Sequence, residues 1–151
     1  MRATSLILKI FGLTVITMST LACGASSSGK EQPAAAQPAP AAQVIAVVNT
    51  ATWCPTCQEN GDRAMQALTA ASVDGVVSLV VNDLSDDATA AKSAAQLQTM
   101  GLTQAIAART STGVVYFFHA TSKRALGEIP VARTDDELKA AVAKAKAAAA
   151  G

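Results

Sequence analysis

The chain is poor in aromatic side chains: one tryptophan, one tyrosine and three phenylalanines in 151 residues. With half of the residues hydrophobic and alanine abundant, this predicts a small core packed through short side chains. Charge of either sign is also scarce in excess. Twelve basic and eleven acidic residues leave a net charge of +1, and no basic run is interleaved with aromatics, which argues against nucleic acid as a partner. There is one histidine and there are three cysteines. A structural zinc site built on Cys54 and Cys57 needs two more ligands, and only Cys23 and His119 remain. No internal repeat is present, and the length allows one folded domain after an N-terminal region.

Residues 1–22 read as a lipoprotein-type signal peptide. Arg2 and Lys9 mark its charged region, and Ile10 to Ala22 is an apolar stretch too short to span a bilayer comfortably. Leu21-Ala22-Cys23-Gly24 resembles a bacterial lipobox, with Thr20 where the pattern usually has leucine. That resemblance implies lipidation at Cys23; ordinary signal cleavage near Ala25 is the alternative. Lipidation would also remove the odd thiol, an oxidation liability outside the cytoplasm. Residues 23–42 are rich in Ser, Gly, Gln, Ala and Pro and read as a flexible tether. The expected location is the extracytoplasmic side of a bacterial membrane.

The folded domain is expected over residues 43–151. Val44 to Asn49 is a nearly continuous apolar run, as in a strand buried on both faces. A helix from about Pro55 to Ala71 follows, with Ala64, Met65 and Leu68 inward and a bend expected at Gly61. Val76 to Val81 is a second strand, reached across that helix and therefore parallel to the first. An acidic helix start at Asn82 to Asp87 leads into a helix through Ala91, Ala94, Ala95 and Leu97, ended by Gly101. Gly113 to Phe118 and Arg124 to Ile129 form an antiparallel hairpin across a polar turn. Thr134-Asp135-Asp136-Glu137 is a capping box for a last helix carrying Leu138, Ala141, Val142 and Ala145 on one face. Lys144 and Lys146 are expected to complement the dipole at its end.

Trp53-Cys54-Pro55-Thr56-Cys57 stands between the first strand and the first helix. Unpaired N–H groups at a helix N-terminus favour an anion, so a thiolate at Cys54 is stabilised there. Cys57, one turn on, is the partner for a disulfide, and Pro55 fits the first turn because its missing N–H costs nothing. A bare Cys-x-x-Cys also serves as half of a zinc site; the strand and helix context favours a redox dithiol.

With this motif in this order of elements, residues 43–149 resemble the thioredoxin fold. The segment Ala51 to Cys57 is similar to the active-site loop of exported thioredoxin-like proteins of the TlpA and ResA kind. The resemblance implies an α/β fold of order βαβαββα, with a central mixed four-stranded sheet flanked by helices. It implies that Cys54 is the catalytic nucleophile and Cys57 the buried resolving thiol. Trp53, Pro55, Thr112 and Gly113 would form the substrate groove. It also implies exchange with protein thiols or disulfides in the envelope, with a membrane electron donor or acceptor as redox partner, the lipid as membrane contact, and no cofactor beyond the dithiol.

The chain departs from the family pattern at three places. No proline lies between Pro55 and Pro130, so Ser111, Thr112 or Gly113 stands where the family places a cis-proline. Gly101 to Gly113 is longer than the pattern. Val48, with Asn49 beside it, occupies the place of a buried acid, leaving water or Asp83 to accept the proton of Cys57. Two other readings follow: a soft-metal module holding Cu(I) on the dithiol with His119 or Met100 as third ligand, and a partner-binding domain with a permanent disulfide.

Overall fold

The computed structural model describes residues 41–151. The signal segment, Cys23 and all but the last two residues of the tether lie outside the described residues. The elements are β1 (Val44–Thr50), α1 (Pro55–Ala71), β2 (Val77–Asp83), α2 (Asp87–Thr99), α3 (Thr103–Ile106), β3 (Val114–His119), β4 (Ala125–Pro130) and α4 (Asp135–Ala150). The strands form one sheet in the order β2-β1-β3-β4. β1 is parallel to β2 and antiparallel to β3, and β3 and β4 make the antiparallel hairpin.

β1 is central, and its six residues Val44 to Asn49 are all buried. Successive side chains point to opposite faces, so the strand feeds two cores. Val44, Ala46 and Val48 join Val115 and Phe117 beneath α1 and α4, packed on Leu68, Leu138 and Val142. Ile45 and Val47 join Tyr116 and Phe118 on the other face, against Leu97 and Leu102.

Helix boundaries follow local chemistry. α1 begins with Pro55 at its first turn and runs without interruption through Gly61, where the sequence suggested a bend. α2 opens on a reciprocal capping box between Asp86 and Thr89 and closes at Gly101. Gly101 adopts φ +70°, a conformation that costs glycine nothing, and the Leu102 N–H then donates to the Leu97 carbonyl (2.8 Å). α4 opens on the box between Thr134 and Glu137.

Several expectations are corrected. The 101–113 stretch contains the one-turn helix α3, so the order is βαβααββα. α2 runs through Ala91, Ala94, Ala95 and Leu97 as expected, and its buried residues are Ser93 and Leu97, with the three alanines exposed. Ser93 is inward because its hydroxyl accepts from the Asp83 N–H (2.9 Å). Lys146 does not serve its own helix: its Nζ donates to the Ala71 carbonyl at the end of α1 (2.7 Å) and to Asp74 (2.8 Å). Arg63 makes a second tie from α1, donating to the carbonyls of Val131 (2.8 Å) and Arg133 (2.9 Å) and pairing with Asp135 at the start of α4.

Candidate functional site

The dithiol lies where β1 passes into α1. Cys54 is the N-cap of α1, with extended backbone angles, and its Sγ accepts the Cys57 N–H at 3.2 Å. Its carbonyl accepts from the Gln58 N–H (3.1 Å). The sulfur therefore occupies the position usually held by a capping serine or aspartate oxygen, aimed at the donors of the first helical turn. Cys54 and Cys57 are joined as a disulfide with Cα atoms 5.3 Å apart, within the ordinary range for such a bridge.

Loops from two other elements complete the site. Residues 50–53 are tied to the end of β2: the Leu84 N–H donates to the Thr50 carbonyl (2.8 Å), and the Thr52 N–H to Ser85 Oγ (2.8 Å). Trp53 Nε1 donates to the Leu84 carbonyl (3.3 Å), and the Leu84 side chain packs against Ala51, Cys54 and Cys57. The segment before β3 closes over the sulfurs. Gly113 has φ +72°, and a Cβ there would stand 3.3 Å from Thr56 Cγ2 and 3.7 Å from Cys54 Sγ. Glycine thus permits both the backbone angle and the close approach.

That segment is held by Asn49, which is fully buried. Asn49 Nδ2 donates to the carbonyls of Arg109 (2.7 Å) and Ser111 (3.2 Å), and its Oδ1 accepts from Asn82 Nδ2 (2.8 Å). The Gly113 N–H and carbonyl are both used in the sheet, with Asn49 (2.8 Å) and Val131 (2.9 Å). A buried amide and a glycine thus hold the segment in place where no proline stands.

The six motif and groove residues are brought to one place. Trp53 is 61% exposed and is not core packing; Pro55 is exposed at the helix start, Thr112 is half-buried and Gly113 faces Cys54. The dithiol, however, is covered. Cys54 is 4% exposed and Cys57 8%, because Gly113, Thr56 and Leu84 close around the sulfurs. Cys54 is thus buried together with Cys57 in this oxidised form.

The two suggested metal ligands are placed elsewhere. β3 is antiparallel to β1, so His119 pairs with Val44 at the opposite end of the sheet, about 17 Å of strand from the Asn49 end. Its Nδ1 accepts from the N–H groups of Thr121 (3.1 Å) and Ser122 (3.2 Å). Met100 sits at the far end of α2, packed against the core cluster of Phe118. Among the described residues, no group of three or more His, Cys, Asp and Glu is placed to hold a metal ion.

Cys57 lines two small cavities. One, of about 150 Å³, also includes Val48, Asn49 and Asp62; the other includes Thr50, Gln58 and Asp83. Asp83 is occupied by Ser85, whose N–H donates to its Oδ1 (2.9 Å). Sequence reasoning missed Leu84 and Asp62 altogether and noted Asn49 only as a neighbour. A lone asparagine at the end of an apolar strand was the signal available for the last.

No protein-family model matches the chain, and no curated protein matches it. Among solved structures, a crystal structure of Trxlp from Edwardsiella tarda EIB202 is similar with a TM-score of 0.43 and 13% identity, over 65% of this chain and 80% of that one. Among the described residues no helix is long and apolar enough to cross a membrane. The chain combines the strand order β2-β1-β3-β4, a parallel β1/β2 pair joined through α1, the β3/β4 hairpin before the terminal α4, and a Cys-x-x-Cys disulfide at the β1–α1 junction. The fold of this chain is thioredoxin-like.

Proposed function

We propose that the chain is a thiol–disulfide exchange protein of the cell envelope, tethered to a membrane by lipid on Cys23 and similar in role to exported proteins of the TlpA and ResA kind. The observation that carries the exchange chemistry is the position of Cys54 Sγ as N-cap of α1, accepting the Cys57 N–H. Those helix-end donors lower the energy of the thiolate relative to the thiol.

In the reducing direction, the Cys54 thiolate attacks one sulfur of a substrate disulfide, and the other sulfur leaves as a thiolate that takes a proton. Cys57, deprotonated, attacks Cys54 Sγ in the mixed disulfide and expels the second substrate sulfur. Two electrons pass to the substrate, and the Cys54–Cys57 disulfide is left. A membrane donor of two electrons resets it. With a membrane acceptor, the same steps run backwards and oxidise a substrate dithiol. Trp53 offers an exposed aromatic surface for the substrate chain, and the dithiol needs no added cofactor.

The burial of both sulfurs favours a second reading, a permanent disulfide in a partner-binding domain. The equilibrium reduction potential of the pair, titrated against glutathione, separates the two. Exchange predicts a value of roughly −270 to −120 mV, and a Cys57→Ser variant that accumulates a mixed disulfide with glutathione. A potential below about −300 mV, with no trapped adduct, assigns the bond a structural role.

A further inference from the structure

A cavity lies between α2, α3 and the end of β2; neither cysteine lines it, and it borders the dithiol only through Leu84. Its volume is about 290 Å³, its apolar walls are Leu84, Ala90, Ala94, Leu97 and Ile106, and Thr103 and Thr110 also line it. Two polar groups converge on it with capacity to spare.

The first is Asn82, which is 6% exposed. Asn49 donates through Nδ2 to two carbonyls, so its Oδ1 must be the atom that faces Asn82. Asn82 therefore turns its Nδ2 toward Asn49. Its Oδ1 is left as an acceptor that no donor among the described residues reaches; it is not sealed from solvent, so a ligand donor entering the cavity can take the place of water there.

The second is Arg109. Its guanidinium lies over the rings of Tyr116 (5.9 Å) and Phe118 (5.3 Å), and one Nη donates to the Ala105 carbonyl. None of the ion pairs among the described residues involves it. A guanidinium has five N–H donors in a planar fork that suits a carboxylate. Apolar walls with a few convergent polar groups are the usual make-up of a small-molecule site.

We propose that this cavity binds a small apolar amphiphile carrying one carboxylate, for Arg109, and one hydrogen-bond donor, for Asn82 Oδ1. Ala90 and Ala94 leave the space that the apolar body fills.

The test uses the full chain and indole-3-acetate, which has a flat apolar body, a ring N–H and a carboxylate. Binding is followed by amide and methyl NMR shifts. Tryptamine, with an ammonium group in place of the carboxylate, is the ligand control. Ala94→Phe is the protein control, since it fills the cavity from an exposed helix position where the fold tolerates the change. The expected result is saturable binding at or below about millimolar concentration, with shifts at Leu84, Ala94, Leu97 and Ile106. Binding should weaken by about tenfold or more both for tryptamine and in Ala94→Phe. The absence of saturable binding at millimolar concentration overturns the proposal. So does a smaller loss in either control, which would place the ligand elsewhere, for instance on the exposed Trp53.

Discussion

The two faces of the sheet are built differently. On one, α1 and α4 lie side by side and bury Leu68, Leu138, Val142 and Phe117 in the larger and better filled core, beside small cavities of about 150 and 70 Å³, with Arg63 and Lys146 tying the helices at opposite ends. On the other, α2 presents only Ser93 and Leu97 as buried residues, α3 is a single turn, and a cavity remains beside them. The helix that carries the dithiol belongs to the filled face. The loop that covers the dithiol is fastened from the open face, through Asn49 and Asn82. The support beneath the sulfurs and the fastening of the loop over them therefore come from opposite sides of one strand, since neighbouring residues of β1 point to opposite faces.

The largest test of this contrast is a pair of truncations. Leu138→Ala removes a fully buried side chain from the filled face and should cost about 2–5 kcal/mol. Leu97→Ala removes a side chain that already borders a cavity, so its loss should fall at or below the lower end of that range. Urea denaturation of both variants measures the difference, and equal losses would break the comparison.

A smaller effect is expected from Asn49→Leu, which leaves the buried Asn82 amide without its partner, while the carbonyls of Arg109 and Ser111, on a half-buried and an exposed residue, can turn to water. The loss should be about 1–3 kcal/mol for an unsatisfied group. The sharper readout is local. The Gly113 amide, bonded to the Asn49 carbonyl, should exchange its hydrogen faster while amides of α1 and α4 keep their protection relative to global stability.

The smallest effect is the pH dependence of the tie between α1 and α4. The hydrogen bond from Lys146 holds the Asp74 carboxyl below its ordinary value, with the Val76 N–H adding to it. A carboxylate with a depressed pKa in the folded state contributes its stability above the unfolded value and loses it as pH falls through the folded one. Acid should therefore weaken the wild type slightly more than Lys146→Ala across the carboxylate range. Parallel acid-denaturation curves would show that the pair contributes nothing.

Much of the filled face was legible in the sequence. Pro55 marks the start of α1, the Thr134–Glu137 box marks that of α4, and branched residues at the right period supply the core. The open face was not. Ala91, Ala94 and Ala95 mark α2 as a helix without saying which side faces in, since a methyl group gives little preference for either environment, and it is Ser93, whose hydroxyl accepts from the Asp83 N–H, that turns toward the sheet. α3 is too short to show periodicity. The cover over the dithiol was illegible for another reason: Asn49 reaches Arg109, sixty residues on, and no local pattern at Cys54 reports a distant loop.

The Asn49–Asn82 bond has a further consequence for how the sheet assembles. Val44 to Val48 is apolar without a break, and so is Leu79 to Val81 in β2. Such strands lack the in–out alternation that normally fixes pairing register. Sliding one past the other would exchange valine for valine or leucine at little cost until the asparagines met the apolar run. Each buried amide would then lose its partner at about 1–3 kcal/mol apiece. In the observed register Asn49 stands opposite Asn82, and the pair acts as the stop that tells two nearly featureless strands where to halt.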